Sequence, residues 1–229
     1  MSKRNKIAFH GVTLDLLGDG TIFMPSEKVL IVSDLHLEKG AALSEGAPLP
    51  HFDTIDTLQR LERRIAACAP EQVICLGDSF HTIERAYRMP AEHVAFLSKL
   101  AEKTDFQWVT GNHDRDLPTR LPGAIHDELM ISGIRLCHEA DLTPSLPTIS
   151  GHFHPKARIK LRARQVSCRC FIAAETDIIM PAFGSYTGGL NIRHEAFEPF
   201  LSKKTIIHLL HDGDSFAIPY TRDLFQKYQ

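Results

Sequence analysis

The sequence predicts an α/β protein, and three features predict it. Three continuous apolar runs each stop at a polar cluster. The intervals between them contain apolar residues three or four apart, the helical period. From Glu128 on the chain breaks into short alternating runs of the kind strands make.

The elements come in this order. Val12 to Leu17 and Thr21 to Met24 flank Gly18-Asp19-Gly20, the pattern of a hairpin. Lys28 to Ser33 is apolar without alternation and runs into Asp34, as a strand buried on both faces does. Residues 37–52 carry Gly40, Gly46, Pro48 and Pro50 and are expected to be a loop. Asp53 caps a helix with apolar positions at Ile55, Leu58, Leu61 and Ile65, and Pro70 marks its end. Gln72 to Leu76 is a second buried strand leading to Gly77-Asp78. Pro90 suits the first turn of a helix whose Val94, Leu97 and Leu100 share a face. Phe106 to Thr110 is the third strand and runs into Gly111-Asn112-His113-Asp114. Strand, helix, strand, helix, strand makes a parallel half. Strand-like runs then occur at 128–131, 134–137, 148–150, 159–164, 168–174, 178–182, 205–210 and 216–220, and antiparallel pairing is expected among them. No repeat, low-complexity stretch or long linker divides the chain, so residues 1–229 are expected to form a single domain.

Composition narrows the class. The net charge of −2 gives no global basic field, and no run approaches the length of about 18 apolar residues that a membrane helix needs. Met1-Ser-Lys-Arg-Asn-Lys6 is basic, but His10, Gly11 and Asp15 break the apolar stretch after it, so the start does not read as a secretory signal. A cytoplasmic protein is expected. The five cysteines lack CxxC spacing and are expected to be reduced and mostly buried. Cys168-Arg-Cys170 has too few His or Cys neighbours for a zinc site.

The thirteen histidines are informative by placement. Asp34-Leu-His36, Gly77-Asp78, Gly111-Asn112-His113-Asp114, His138 and Gly151-His152-Phe-His154 occur in that order. Three of these clusters sit where a parallel strand stops, and ligand sites in open α/β sheets form outside those carboxyl ends. Pairs two apart in extended backbone share a face, which would aim Asp34 with His36, and His152 with His154. The glycines before Asp78, Asn112 and His152 are expected to permit tight turns. Taken singly, each cluster has an ordinary alternative as a turn or a half-buried histidine. Taken together, carboxylate, imidazole and amide oxygen without thiolate describe a site for Mn, Fe, Zn or similar ions. Asp34, His36, Asp78, Asn112, His138, His152 and His154 are too many for one tetrahedral ion and suit two.

This ordered set resembles the calcineurin-like metallophosphoesterase superfamily, with its DxH, GDxxD, GNH(D/E), H and GHxH motifs. The resemblance implies a two-sheet αββα sandwich and two divalent ions. It assigns Asp34, His36, Asp78 and His154 to one ion, and Asp78, Asn112, His138 and His152 to the other. It also implies in-line attack of a metal-bridging hydroxide on phosphorus, with Asp78, Asn112 and His113 as the catalytic set and His113 as the acid for the leaving oxygen. One slot departs from the pattern: the Asp that often orients this acid is replaced by His81. Either Asp114, or a group not visible in the sequence, holds His113, or general-acid assistance is weak.

Further stretches are similar to the ligase-associated DNA damage response endonuclease branch: Ser33 to Gly40, Val73 to His81, Trp108 to Asp114, Gly151 to Ala157 and Pro181 to Asn191. That similarity implies a manganese-dependent phosphodiesterase acting on single-stranded or damaged DNA in bacterial repair. A DNA ligase, a helicase and an exonuclease are its implied partners. Hydrolysis of a small nucleotide or a lipid-linked pyrophosphate, or a non-catalytic scaffold role, are the competing functions.

Substrate contacts are expected at His81, Lys156, Arg158, Lys160 and Tyr186. Lys156, Arg158, Lys160, Arg162 and Arg164 share one face if residues 156–164 are extended, making either a stripe for a nucleic-acid backbone or a charge-protected edge strand. The Ser185-Tyr-Thr-Gly-Gly189 loop is a second candidate, with Tyr186 either stacking on a base or packing.

Overall fold

The computed structural model describes residues 5–40, 52–141, 146–161 and 164–226. Strands β1 (Asn5–Phe9), β2 (Val12–Leu16), β3 (Ile22–Met24), β4 (Val29–Ser33), β5 (Gln72–Leu76), β6 (Asp105–Val109) and β7 (Ala124–His126) form the first sheet in chain order. The first four pair antiparallel; β4, β5, β6 and β7 pair parallel. Helices α1 (Phe52–Cys68) and α3 (Ala91–Ala101) make the crossovers, with a short α2 (Ile83–Tyr87) ahead of α3. Pro90 is the residue before α3 and does not enter its first turn.

The continuous apolar runs are buried on both faces, as expected. Leu30 and Val32 of β4, Val73 and Cys75 of β5, and Phe106 and Trp108 of β6 pack against Leu58, Leu61, Ile65, Leu97 and Leu100 of the helices. The alternate residues Val29, Ile31, Ile74, Leu76 and Val109 face the second sheet. Period-two alternation thus serves two cores at once. Trp108 is fully buried and its Nε1 donates to the Pro122 carbonyl at 2.7 Å.

The second sheet runs β14 (Leu190–Asn191), β11 (Pro155–Leu161), β12 (Arg164–Ala173), β13 (Asp177–Ile179), β10 (Thr148–Ser150), β9 (Ile134–Cys137), β8 (Leu129–Ile131). Strand β15 (Ile206–His211) pairs with the far end of β12, and β16 (Asp214–Pro219) pairs with β15. Its outer face packs on a 3-10 helix (Glu195–Phe200) through Phe197 and Phe200, so helix covers little of that side of the sandwich. Cys168 and Cys170 belong to this outer cluster.

One expectation is refined and one corrected. The second sheet is rich in antiparallel pairs, as expected, at β8–β9, β11–β12, β12–β13, β12–β15 and β15–β16, but it is mixed: β10 pairs parallel with both β9 and β13, and β11 pairs parallel with β14. Alternation reports which face a strand buries and is blind to its neighbours' direction. The run at 159–164 is not one strand either, because β11 ends at Leu161 and β12 begins at Arg164, the two pairing antiparallel. The basic stripe is therefore cut by a hairpin. Arg162 lies outside the described residues, as does most of the expected loop at 37–52. Among the described residues, no helix is long and apolar enough to cross a membrane.

Candidate dinuclear metal centre

Strand register assembles the site. Ser33, Leu76 and Val109 lie side by side at the ends of β4, β5 and β6, so the residues after them emerge together. In the second sheet Ser150 pairs with Cys137, which sets His138 beside Gly151; Gly151 N donates to the His138 carbonyl at 2.9 Å. Backbone bonds lace the first-sheet loops: His36 N to Asp78 O at 2.9 Å, Leu37 N to Ser79 O at 2.8 Å, and Gly77 N to Val109 O at 2.9 Å.

The ligand segments are not extended. Asp34, His36, Asp78, His152 and His154 have φ of 52°, 43°, 45°, 68° and 47°. This left-handed region is uncommon for residues other than glycine, though Asp and His tolerate it better than most. Each such residue costs on the order of 1–3 kcal/mol, which surrounding structure must offset. The alternation of left-handed and ordinary conformations, and not a strand, turns Asp34 and His36 to one place. It also sends His152 and His154 to different places.

Two donor clusters result. Asp34, His36 and His154 form one, and Asp78, His138 and His152 the other, with each cluster's ligand atoms within 4.8 Å of one another. In the first, His154 Nε2 lies 3.1 Å from Asp34 Oδ1 and 3.3 Å from His36 Nε2. In the second, His138 Nε2 lies 3.4 Å from Asp78 Oδ2 and 3.1 Å from His152 Nδ1. Asn112 Oδ1 joins it at 2.7 Å from His138 Nε2 and 3.2 Å from His152 Nδ1.

The electrostatics ask for cations. Burial lowers His138, but the hydrogen bond to Asp78 and the charges of Asp34 and Asp78 outweigh it and raise the imidazole to about 9. Burial pushes Asp78 up, yet the hydrogen bond and charge of His138 and the backbone amide of His113 bring it down to about 2. His36 is driven down to about 3, mainly by burial, and so stays neutral and able to ligate a metal. Facing imidazole nitrogens can share at most one proton per pair, and a divalent ion resolves the crowding of bare lone pairs in both clusters. The donor set fits two such ions.

Glycines at the site provide room more than turning. Only Gly77, at φ 65°, is left-handed among those preceding ligands. A Cβ on Gly111 would overlap Asp78 N and Oδ1, and one on Gly151 would overlap Ser33 Oγ and Asp34 Oδ2. The expectation of tight turns is corrected at these two positions: the ligands simply pass too close for a methyl group.

His113 stands beside the clusters, its side chain 42% exposed and its Nε2 3.9 Å from Asp78 Oδ2. Its backbone N donates to Asp78 Oδ1 at 2.9 Å. The group that orients its ring is the carbonyl of His81, 3.0 Å from His113 Nδ1. Asp114 has another task. It is fully buried and accepts from Ser79 N at 2.6 Å, Phe80 N at 3.2 Å and Gly111 N at 2.8 Å, tying two ligand loops together. The His81 ring stacks on His113 with centroids 5.9 Å apart at 18°, which brings this expected contact residue to the site.

Other expected contacts lie further out. Lys156 and Arg158 are half-buried and Lys160 exposed along β11, while Ala157 and Ile159 point inward. Arg158 Nη2 donates to Gln165 Oε1. Tyr186 is 54% exposed in the loop whose Gly184 N donates to Asp34 O at 3.1 Å. Sequence reasoning missed Ser33, whose hydroxyl donates to Asp34 Oδ2, and the buried Glu38–His93 pair behind His36. Ser33 gave no signal in its apolar run, and a pairing of Glu38 with His93 across 55 residues has no local signature.

Two sheets whose strand ends converge on paired Asp/His clusters are the framework of a metal-dependent hydrolase. The chain belongs to the calcineurin-like phosphoesterase family, whose sequence profile matches residues 27–227. It is similar in structure to the nuclease MPE of Pseudomonas putida, with a TM-score of 0.74 and 29% identity, over 94% of this chain and 100% of that one. It also matches Yfce, a phosphoesterase from E. coli, at a TM-score of 0.45 and 15% identity, over 83% of this chain and 98% of that one. A probable inactive purple acid phosphatase 29 of Arabidopsis thaliana is 28% identical over 93 residues, 39% of this chain and 24% of that relative. The match therefore spans about a quarter of that plant protein.

Proposed function

We propose that this phosphoesterase is a phosphodiesterase that cuts DNA, in single-stranded or damaged form, with two manganese ions in the two clusters. The observation that carries the reading is the adjacency of two complete donor sets to an oriented, accessible imidazole, His113. Similarity over nearly the whole chain to a protein described as a nuclease supports a nucleic-acid substrate. By the same reading the protein works in the bacterial cytoplasm beside a DNA ligase, a helicase and an exonuclease, as the repair-branch motifs imply.

Divalent ions in these clusters would polarise a phosphate and offset charge on its oxygens. The chain's own residues do the rest. Asp34, His36 and His154 would hold one ion, and His138, His152 and Asn112 the other, with Asp78 between them. The His81 carbonyl accepts the Nδ1 proton of His113, which leaves Nε2 as the atom that carries the transferable proton. In its acid form His113 presents that proton toward the cleft beside Asp78 and hands it to the departing oxygen.

The test is a panel of Mn, Fe, Zn and Mg against single-stranded DNA, nicks, flaps and bis-aryl phosphates, with Asp78→Asn and His113→Ala as controls. Metal-dependent cleavage of DNA that both substitutions abolish or cripple supports the reading. Turnover of aryl diesters or small nucleotides with no cleavage of any DNA sinks the DNA assignment and leaves the phosphoesterase one standing.

A further inference from the structure

We infer that a basic track leaves the metal centre at Lys156, crosses β12 at Arg169 and ends in an arginine cleft on α1, where it binds phosphates of a single-stranded polynucleotide beyond the scissile one. This rests on the proposal that the substrate is DNA and gives that substrate a direction, away from the rest of β11.

Geometry carries the path. Lys156 lies two residues past His154 and is the direct antiparallel partner of Arg169, so the two side chains share a sheet face. Arg169 Nη1 donates to the Ala182 carbonyl at 2.8 Å. Arg60 Nη1 donates to the next carbonyl, that of Phe183, at 3.0 Å, with its guanidinium 4.4 Å over the Phe183 ring. Both arginines are thus anchored on the segment that runs directly into Gly184, whose amide binds the backbone of Asp34. Arg60, Arg63 and Arg64 are spaced i, i+3 and i+4 and project from one helix face. With Asp19 and Ala67 they line a cleft of ≈ 300 Å³.

Charge along this path is under-compensated. Asp19 is the partner of Arg64, at 2.6 Å, and Asp56 is the other carboxylate acting on Arg60. Against these two stand Lys156, Arg169, Arg60, Arg63 and Arg64. Arg169 is depressed by burial and then by Arg60, and Arg60 by burial and, in smaller part, by Arg63. Like charges that feel one another are stabilised by an anion laid across them, and the guanidinium fork suits phosphate oxygens. Arg63 is exposed and has no hydrogen-bond or ion-pair partner among the described residues. The overall charge of −2 conceals this local excess. The alternative route along β11 is poorer, since Arg158 is engaged by Gln165 and the strand ends at Leu161.

The experiment measures KM of the metal-loaded enzyme for a single-stranded oligonucleotide across roughly 50–200 mM salt. Arg63→Glu is compared with Arg63→Lys, with Lys160→Glu on β11 and with Lys203→Glu, a charge-matched change on the exposed turn before β15. Melting temperatures check that each variant folds. The track predicts that Arg63→Glu raises KM about tenfold and lowers the salt slope by about one, that Arg63→Lys restores most of both, and that Lys160→Glu does less. Arg63→Glu within twofold of wild type in KM and slope, or Lys160→Glu having the larger effect, overturns the track and leaves the DNA reading intact. A wild-type enzyme that hydrolyses bis-aryl phosphate and ignores the oligonucleotide overturns the DNA reading first, and the track with it.

Discussion

The ring of His113 is held by the backbone of His81: Nδ1 sits 3.0 Å from that carbonyl oxygen, while the Asp78 carboxylate lies 3.9 Å from Nε2. A backbone carbonyl is indifferent to the side chain it carries. His113→Ala is therefore expected to lower kcat by about 10²–10⁴ on a diester with a poor leaving group, and by much less on a nitrophenyl diester, whose oxygen leaves without a proton. His81→Ala keeps the carbonyl and loses only the stacked ring, so kcat should stay within about tenfold of wild type. Steady-state kinetics over a series of leaving groups decide it. Equal losses for both variants at every leaving group would mean that His113 is not the acid.

His138 sets a pH dependence. Its folded value, about 9, lies above the unfolded 6.5. In the metal-free protein its contribution to stability is fully present below about 6.5 and is lost as pH rises through 9. Metal binding reverses the sign, because the ion takes the place of that proton. Apparent metal affinity should fall by up to about tenfold per pH unit below 9, with close to one proton released per ion at the second cluster near pH 7.5. Calorimetry in buffers of different ionisation enthalpy measures the release. His36, already neutral above about 3, should add nothing to it.

What the sequence makes legible, and what it hides, divides along physical lines. The metal donors are readable because only a few side chains can hold such ions, and the order of Asp34, Asp78, Asn112, His138 and His152 survives any detail of backbone. Strands β4, β5 and β6 are readable because burial on both faces forces an uninterrupted apolar run. β7, of three residues, and β14, of two, are too short to show a period. β1 alternates half-buried and exposed positions at a sheet edge. The parallel pairing of β10 is set by distant partners and leaves no local trace. The left-handed ligand backbones are equally silent, since Asp and His at those positions look the same in any conformation.

Close approach at the glycines predicts a metal-loading defect without general unfolding. Gly151→Ala places a methyl group against Ser33 Oγ and Asp34 Oδ2, so the first cluster must open to admit it. Metal content by mass spectrometry should fall from two ions to about one or fewer. Adding Ser33→Ala removes the nearest obstacle but not the Asp34 oxygen, so only partial recovery is expected. Gly133→Ala meets no atom within 4 Å, though at φ 80° its backbone is strained, and serves as the control: stability falls somewhat while metal content holds. Full metal loading in Gly151→Ala would show that the Asp34 loop shifts freely, contrary to its lacing by backbone bonds.

Behind His36, Glu38 Oε1 accepts from His93 Nδ1 at 2.6 Å, with both side chains at most 6% exposed. The contact pins the left-handed Glu38 (φ 63°) to α3, and Glu38 N donates to Thr54 Oγ1 of α1 at 2.8 Å. Both helices thus fix the segment that carries a ligand. Removing one partner leaves a buried polar group without its hydrogen bond, which costs about 1–3 kcal/mol. His93→Leu and Glu38→Leu should each lower Tm by roughly 2–12 °C, taking 2–4 °C per kcal/mol for a domain of this size. The double substitution should recover much of that loss, because no unpaired group remains, and a double-mutant cycle reads the coupling. Stability alone does not isolate the role at the site, so metal affinity is measured on the same variants well below their Tm. Should affinity weaken in His93→Leu and stay weak in the stabilised double variant, the pair holds the His36 loop in its ligating conformation. Affinity that recovers in step with Tm would reduce the pair to a packing element of α3.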